Sequence, residues 1–237
     1  MTERPVALIL ALELEAQALV RHLTPSTVSS PHLSVWDGVI EGEPVVLVVT
    51  GVGKVAAALA TQYVCDTFGP RSLLTVGIAG ATDNDAGPGL LIVASGALQH
   101  DMDARPFTNA RGTIPSLGLA VIPSDASLSD KLRAATESVV DNPQTVRTGV
   151  ILTGDQIVAS REVRDSILSE FPDGACFDME TAAIAQVASQ NSKPWAALRM
   201  ISDAADETFD LEEVVRFGVT AAELFDRVVR AYLRELD

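Results

Sequence analysis

Short apolar runs alternate with segments of helical periodicity along most of this chain. Near-continuous apolar runs of about four to eight residues are typical of strands covered on both faces of a sheet. Apolar residues three and four positions apart predict helices that pack on such a sheet. The pattern therefore predicts an α/β protein. The predicted strands are Val6–Leu12, Leu33–Ile40, Pro44–Thr50, Ser72–Val76, Leu90–Leu98, Leu119–Ile122, Arg147–Thr153, a short strand closed by Asp178, and Trp195–Ile201.

The helical segments fill most of the gaps between these strands. A turn at 41–43 joins two strands as a hairpin, which makes the expected sheet mixed, and Thr24–Pro31 is predicted to be a loop. Without repeats, linkers or low-complexity segments, residues 1–237 are predicted to form one domain. The predicted helices are Glu13–His22, an alanine-rich helix ending near Phe68, a helix capped by Ser124 or Ser127 and ending at Val140, Glu162–Phe171, Glu180–Ser189, and Leu211–Leu236, whose packing face holds Val214, Val215, Val219, Leu224, Val228, Val229 and Leu233.

Charged residues interrupt the apolar pattern where strands end. Asp178 and Glu180 close one strand, Arg199 lies inside the next, and Asp203 follows it. Glu15 lies in the first turn after the first strand. Because ligands of open parallel sheets bind at the carboxyl ends of strands, these groups predict a polar ligand site with acid–base chemistry. Helix capping and a structural ion pair are the alternative interpretation of the same residues.

Composition narrows the possible partners. A formal net charge of −15, with no cluster of Lys and Arg, argues against a nucleic-acid or anionic-membrane surface. Cys65 and Cys176 lie in apolar contexts and are interpreted as reduced core residues. Glu13 and Glu15 end the first apolar run too early for a signal peptide, and no run approaches the roughly 18 residues of a membrane span. A cytoplasmic protein is expected.

Three segments resemble known ligand motifs without matching them. Gly51–Val55 lacks P-loop spacing and has valine where the magnesium-binding hydroxyl belongs, so a glycine turn that allows close backbone approach is predicted. Asp83–Asp85 lacks the glycine and glutamate of a calcium loop and is predicted to be a surface turn. His100–Asp103 has no second histidine nearby, so no metal site is expected.

With these landmarks in place, the sequence resembles the 5′-methylthioadenosine/S-adenosylhomocysteine nucleosidases of the purine nucleoside phosphorylase superfamily. The resemblance extends over nearly the whole chain and implies a three-layer α/β/α sandwich with a central mixed, twisted sheet. The order and separation of the matching segments make it specific. These segments are Ala11–Glu15, Thr50–Val55, Gly77–Gly80, His100-Asp101, Thr153–Asp155, Asp178–Glu180 and Arg199–Asp203.

The resemblance implies a hydrolase that releases adenine from 5′-methylthioadenosine, S-adenosylhomocysteine and also 5′-deoxyadenosine, without metal or cofactor. It implies that Asp203 is the acid for purine N7, with Ser202 orienting its carboxyl. Glu180, beside Met179, would hold the ribose hydroxyls, and Glu15 would activate water near Arg199. Backbone groups of Val158 would bind the adenine edge. The remaining implied substrate-binding residues are Ile157, Phe177, Ile78, Ala79, Gly80 and Phe107.

Three other functions remain open. A phosphate-dependent phosphorylase is disfavoured because the loop after the first strand carries Glu13 and Glu15 and no arginine. A hydrolase of futalosine-type nucleosides stays possible because the 5′-substituent pocket is the part least determined by the motifs. A non-catalytic nucleoside-binding protein is disfavoured by the presence of Glu15, Glu180 and Asp203.

The sequence departs from the family pattern at positions that affect affinity. Ile78 replaces a serine near the ribose, Ile157 replaces an aromatic residue that stacks on adenine, and Leu12 stands where methionine is common. His100–Asn109 matches a loop that reaches the neighbour's pocket in dimeric members. Here Pro106 and Phe107 offer its apolar surface, and a homodimer is implied.

Overall fold

A computed structural model describes residues 4–28, 32–83 and 86–236 of the chain. Two residues of the predicted surface turn, 84 and 85, and the end of the predicted loop Thr24–Pro31 lie outside this range. Within the described residues the strands are β1 Val6–Leu10, β2 Thr24–Pro25, β3 Ser34–Ile40, β4 Glu43–Val49, β5 Ser72–Ala81, β6 Leu91–Gln99, β7 Val121–Pro123, β8 Val146–Thr153, β9 Gly174–Asp178 and β10 Trp195–Asp203. The α-helices are α1 Glu13–Ala16, α2 Lys54–Phe68, α3 Ala126–Val139, α4 Arg161–Glu170, α5 Thr181–Gln190 and α6 Leu211–Arg234.

All the strands belong to one mixed sheet, which confirms the predicted fold class. Strand β1 pairs in parallel with β4 and β5, and β5 pairs in parallel with β10. Strand β6 is antiparallel to β10 and parallel to β8, and β9 joins β8 to the end of β5. The sheet therefore closes into a ring at one side, a closure that the hydrophobic pattern does not predict.

The helices cover both faces of the sheet and complete the predicted three layers. Alternate residues of β1 point to opposite faces, so Ala7 and Ile9 pack with α2 and α5. Leu8 and Leu10 pack on the other side with α3 and α6. Burial on both faces explains why the central strands are continuously apolar.

Strands β5 and β10 extend beyond their predicted ends. Each was predicted to stop at the last large apolar residue, Val76 or Ile201, but pairing continues through the small and polar residues that follow. Gly77 is paired with Arg199, and a β-carbon at Gly77 would lie 2.9 Å from a carboxylate oxygen of Glu15. The glycine is therefore required by the site rather than by a strand end.

The predicted helix Glu13–His22 is wrong in its second half. The structure has α1 followed by a 3₁₀ turn at Leu19–His22. Such tight turns are common where helices end, and the pairing of Thr24 and Pro25 with β3 ends this one. The same pairing replaces the start of the predicted loop with β2.

The residue that caps α3 also differs from the prediction. Asp125, not Ser124 or Ser127, caps α3, because its carboxylate accepts a hydrogen bond from the Leu128 amide at 3.0 Å. The Ser124 hydroxyl instead donates to the carbonyl of Ala94 at 2.7 Å.

The amino-terminal half of α6 does not pack on the sheet as predicted. Val215 and Val219 are exposed, whereas Val228, Val229 and Leu233 are buried. The buried residues of α6 begin at Gly218, and none precedes it in the helix.

Replacing Val228 by alanine tests this assignment of the α6 packing face. Val228 is fully buried, so Val228→Ala should lower the free energy of unfolding by about 2 kcal/mol through lost burial and a small cavity. Val219 on the same helix is 46% exposed, so Val219→Ala should change it by less than about 0.5 kcal/mol. Urea denaturation measures both, and equal losses in the two variants would contradict the assignment.

Candidate active site

The ends of six strands (β1, β4, β5, β8, β9 and β10) or the residues that follow them, together with the start of α6, enclose a cavity of about 290 Å³. Its polar side chains come from the first turn after β1, the loop after β8, the end of β9 with the residues that follow it, and the end of β10. The lining residues are Ala11, Leu12, Leu14, Glu15, Val52, Ile78, Ala79, Gly80, Gln156, Ile157, Val158, Phe177, Asp178, Met179, Glu180, Ser202, Asp203, Phe209, Leu211, Val214 and Val215.

Glu15 is held in the cavity by two backbone amides. Its Oε2 accepts a hydrogen bond from the Leu12 amide at 3.0 Å, as an acidic residue in the first helical turn commonly does. Its Oε1 accepts one from the Ile78 amide, also at 3.0 Å. Burial raises the pKa of Glu15, although the two amides and the nearby Arg199 guanidinium oppose the shift. The carboxylate is therefore fixed in place and poised to accept a proton.

Glu180 immediately precedes α5 and also lines the cavity. Its Oε1 accepts a hydrogen bond from the Gly53 amide at 2.8 Å. Gly53 has φ of +100°, a conformation that glycine adopts most easily, and it aims this amide into the cavity. Burial, followed by the charge of Asp178, raises the pKa of Glu180 to about 7. The predicted glycine turn therefore donates a backbone hydrogen bond to the Glu180 carboxylate.

The side chains of Lys54, Asp101 and His100, which lie in two motif-like segments, contact other protein groups. Lys54 binds Asp101, with 2.6 Å between Nζ and Oδ1, and Asp101 also accepts a hydrogen bond from the Asp155 amide at 3.0 Å. His100 is buried against the ring of Phe177. Among the described residues, no group of three metal-ligating side chains occurs.

Asp203 ends β10 beside the small residues of β5. Its Oδ2 lies 2.8 Å from the Ser202 hydroxyl, and its Oδ1 accepts a hydrogen bond from the Ala205 amide at 2.9 Å. A β-carbon at Gly80 would lie 3.3 Å from Oδ1, so the glycine leaves room for the carboxyl. Burial raises the pKa of Asp203, with the Ser202 hydroxyl and the Ala205 amide opposing it.

Asp178, which lines the cavity, forms a buried ion pair with Arg199. Arg199 Nε donates to Asp178 Oδ2 at 2.8 Å, and its remaining nitrogens donate to Thr75 and to the Leu198 carbonyl. Asp178 also accepts hydrogen bonds from the hydroxyls of Thr153 and Thr181. The ion-pair interpretation left open by the sequence therefore holds for these two residues.

The structure brings most of the predicted site residues together. All the predicted residues except Arg199 and Phe107 line the cavity. Arg199 lies behind the lining, where its charge acts on Glu15, and Phe107 is 93% exposed on a loop. Ile157 lines the cavity although it is 58% exposed, so it lies at the mouth.

Sequence reasoning missed the apolar mouth of the cavity. Leu14, Val52, Phe209, Leu211 and Val214 line it, and they come from three separate segments. Leu14 was assigned to a helix face and Val214 to sheet packing. The signal in the sequence that could have indicated this mouth is the recurrence of apolar residues at the start of α6, at Leu211, Val214 and Val215.

Comparisons with known proteins identify the family to which this chain belongs. The model of the phosphorylase superfamily matches residues 5–234. A 5′-methylthioadenosine/S-adenosylhomocysteine nucleosidase of Staphylococcus carnosus is 32% identical over 98% of this chain and 100% of its own. The chain therefore belongs to the family of 5′-methylthioadenosine/S-adenosylhomocysteine nucleosidases within that superfamily, and the family prediction is confirmed.

Two solved structures illustrate the range of similar proteins. The Neisseria meningitidis 5′-methylthioadenosine/S-adenosylhomocysteine nucleosidase, in complex with methylthio-immucillin-A, superposes with a TM-score of 0.92 at 31% identity, covering 99% of this chain and 100% of that one. The futalosine hydrolase of Helicobacter pylori strain 26695 gives a TM-score of 0.88 at 26% identity, with 98% of each chain covered.

The single-domain assignment of residues 1–237 stays a prediction.

The raised pKa of Glu180 gives the fold a testable pH dependence. Between its ordinary pKa of 4.5 and the folded value of about 7, the folded protein holds a proton that the unfolded chain has released. The free energy of unfolding should therefore fall across this range and then level off. Glu180→Gln removes the effect, so the variant should be more stable than the wild type by roughly 1–3 kcal/mol at pH 8, with a smaller difference at pH 5.

Urea denaturation at the two pH values measures this difference. Glu137→Gln makes the same chemical change on the surface of α3 and should remain close to the wild type at both. A Glu180→Gln variant whose stability relative to the wild type is the same at pH 5 and pH 8 would contradict the prediction.

Proposed function

We propose that this protein hydrolyses the N-glycosidic bond of 5′-methylthioadenosine and S-adenosylhomocysteine, and also of 5′-deoxyadenosine, releasing adenine. The named relatives indicate an adenosine-type nucleosidase. One observation carries the mechanism: Glu15, Glu180 and Asp203 line the same cavity, and each is buried enough for its pKa to be raised. Cleavage needs an acid, a base and a group that holds the sugar, and these carboxyls supply all of them.

Asp203 is the acid in this proposal. As the bond between ribose C1′ and adenine N9 breaks, its electron pair moves into the purine, and Asp203 transfers its proton to N7. The raised pKa keeps Asp203 protonated nearer to neutral pH than an exposed aspartate. Its contacts with Ser202 and the Ala205 amide fix the carboxyl at the end of β10.

Glu15 is the base. A water molecule bound to Glu15 attacks C1′ of the ribosyl cation and gives its proton to the carboxylate, so the sugar leaves with a new hydroxyl. The positive charge of Arg199 helps Glu15 to stay ionised despite its burial. The carboxylates near the sugar also stabilise the cation as it forms.

The other lining residues bind the nucleoside. One oxygen of Glu180 is held by Gly53, and the other is available to the ribose 2′- and 3′-hydroxyls beside Met179. The adenine lies between Phe177 and Ile157, and the backbone of Val158 binds its polar edge. Ile78, Ala79 and Gly80 form the floor beneath the ribose.

The site disfavours phosphate as the nucleophile. Three buried acidic side chains, Glu15, Asp178 and Glu180, would repel an anion near C1′. Arg199 is the guanidinium beside them, and its nitrogens already donate to Asp178, Thr75 and the Leu198 carbonyl. A phosphorylase would require an arginine directed into the cavity.

A futalosine-type nucleoside is the second candidate substrate, because a futalosine hydrolase shares the fold at 26% identity. Both reactions need the same acid, base and ribose contact, and they differ in the group at the 5′ position. The apolar mouth formed by Leu14, Phe209, Leu211 and Val214 favours an alkylthio group over a polar one.

Adenine release from 5′-methylthioadenosine, measured with and without phosphate, tests the reaction. Release without phosphate is expected. Asp203→Asn and Glu15→Gln should each fold normally but lower kcat by a factor of about 10² or more, because each lacks a proton-transfer group. Glu137→Gln is the surface control.

Three results would count against the proposal. Turnover close to the wild type in either site variant would rule out its assigned role. A strict requirement for phosphate would indicate a phosphorylase. Faster turnover of futalosine than of 5′-methylthioadenosine would assign the second substrate.

We also propose a homodimer in which a second copy covers the mouth of the cavity. Val52, Val55 and Leu59 form an exposed apolar stripe at the start of α2, and Val52 also lines the cavity. A copy seated on this stripe would lie close to the bound nucleoside, and the exposed Phe107 is the residue suited to enter the neighbour's pocket.

The cytoplasmic location stays a prediction. Within the described residues, no helix has the length and apolar character needed to cross a bilayer.

Light scattering during size exclusion tests the dimer. Val55→Glu places a charge in the proposed interface and should shift the protein to monomer, whereas Val39→Glu makes the same change on exposed β3 and should not. Phe107→Ala should raise KM with little change in kcat. A wild-type monomer with full activity would contradict the proposal.

A further inference from the structure

The loop that follows Asp203 is held in place by α4. Ala205 has a positive φ of 49°, which a residue other than glycine adopts only when its surroundings impose it. Arg161 donates to Asp206, with 3.0 Å between Nη2 and Oδ2. Arg164 Nη1 donates to the carbonyl of Ala204 at 3.2 Å. Two arginines of one helix thus fix the backbone next to the proposed acid.

These two arginines differ in burial. The side chain of Arg161 is 61% exposed, as expected for a surface ion pair. Arg164 is only 5% exposed, and taking a guanidinium out of water is costly unless its donors are used. Its contacts are the exposed carboxylate of Asp165 at 3.3 Å and the Ala204 carbonyl. Apart from the bond to the exposed Asp165 carboxylate, the hydrogen bond of this guanidinium is therefore with one peptide group.

The same peptide group is also hydrogen-bonded to Asp203. The carbonyl of Ala204 and the amide of Ala205 are the two ends of a single peptide unit, and that amide donates to Asp203 Oδ1 at 2.9 Å. A cation on the carbonyl oxygen draws electron density from the amide and makes it a stronger donor, because hydrogen bonds in a chain polarise one another.

We propose that Arg164 is a positioning residue for Asp203, acting through the peptide group that joins Ala204 to Ala205. The inference rests on the proposed function, in which Asp203 gives its proton to the leaving base. In this arrangement Arg164 does two things. It holds a strained backbone so that the amide points at the carboxyl, and it strengthens the hydrogen bond that this amide donates.

The charges around Asp203 set the direction of the effect. Burial and the carboxylate of Asp206 raise the pKa of Asp203, while the Ser202 hydroxyl and the Ala205 amide lower it. Arg161 and Arg164 face this loop from α4, with Glu207 and Asp165 as their exposed partners. Glu15 and Glu180 lie across the same cavity. Removing Arg164 weakens the amide and takes away a positive charge, so the pKa of Asp203 should rise.

The pH dependence of kcat/KM is the first measurement. A general acid acts in its protonated form, so activity falls as the pH rises through the pKa of Asp203. Arg164→Met should move this fall upward by about half a pH unit. Arg164→Lys keeps the charge and should move the profile back toward the wild type. Arg133→Met removes an exposed arginine of α3 and should leave the profile unchanged.

A second measurement follows the titration of the Asp203 carboxyl without enzymatic turnover. Infrared difference spectra record the carbonyl band of a protonated carboxyl, and the band that disappears in Asp203→Asn belongs to Asp203. Its titration should shift upward in Arg164→Met by the same amount as the activity profile. Arg164→Gln keeps a neutral donor in place of the cation, and it tests the same upward shift if the methionine variant does not fold.

The outcomes separate this inference from the proposed function. An infrared titration that shifts while the activity profile stays fixed would support the role of Arg164 and count against Asp203 as the acid. A variant that loses thermal stability, with both the titration and the profile unchanged, would make Arg164 an ordinary anchor of the loop and overturn the inference.

Discussion

The buried pair of Arg199 and Asp178 is the interaction on which the site depends. Arg199 Nε donates to Asp178 at 2.8 Å beside the cavity, where both side chains are almost completely buried. A lone charge at this depth would be strongly unfavourable, so each needs the other. The pair also links the end of β9, which precedes Glu180, to the middle of β10, the strand that ends at Asp203. The guanidinium stabilises negative charge on Glu15, while Asp178 disfavours it on Glu180.

Burial of acidic groups links the stability of this protein to its proposed chemistry. Each of Glu15, Glu180 and Asp203 has a raised pKa because burial penalises its charged form. The fold tolerates them because backbone amides of Leu12, Ile78, Gly53 and Ala205 donate to their oxygens. Such sites trade stability for reactivity. The same amides fix each carboxyl in one orientation, which proton transfer requires.

The reaction centre and the mouth of the cavity constrain function differently. In the proposed mechanism the centre combines an acid, a base and a ribose contact at or just after strand ends, an arrangement suited to hydrolysis of a purine nucleoside with various 5′ groups. The mouth is apolar and partly exposed, and residues from the first turn after β1, the turn before α2, the loop before α6 and the start of α6 contribute to it. Similarity to both a nucleosidase and a futalosine hydrolase is consistent with a shared centre and a variable mouth.

The sequence by itself determined the fold class, most of the strand and helix order and most of the polar residues that line the cavity. Glu15, Glu180 and Asp203 could be predicted from the sequence because apolar runs indicate strands, and the polar residues at or after their ends indicate the edge of the sheet where ligands bind. The closed side of the sheet, the partner of Arg199, the apolar mouth and the contact from Arg164 were decided by tertiary structure. These depend on which segments meet in space: Arg164 reaches a carbonyl 40 positions away, and no local periodicity encodes a pairing at that separation.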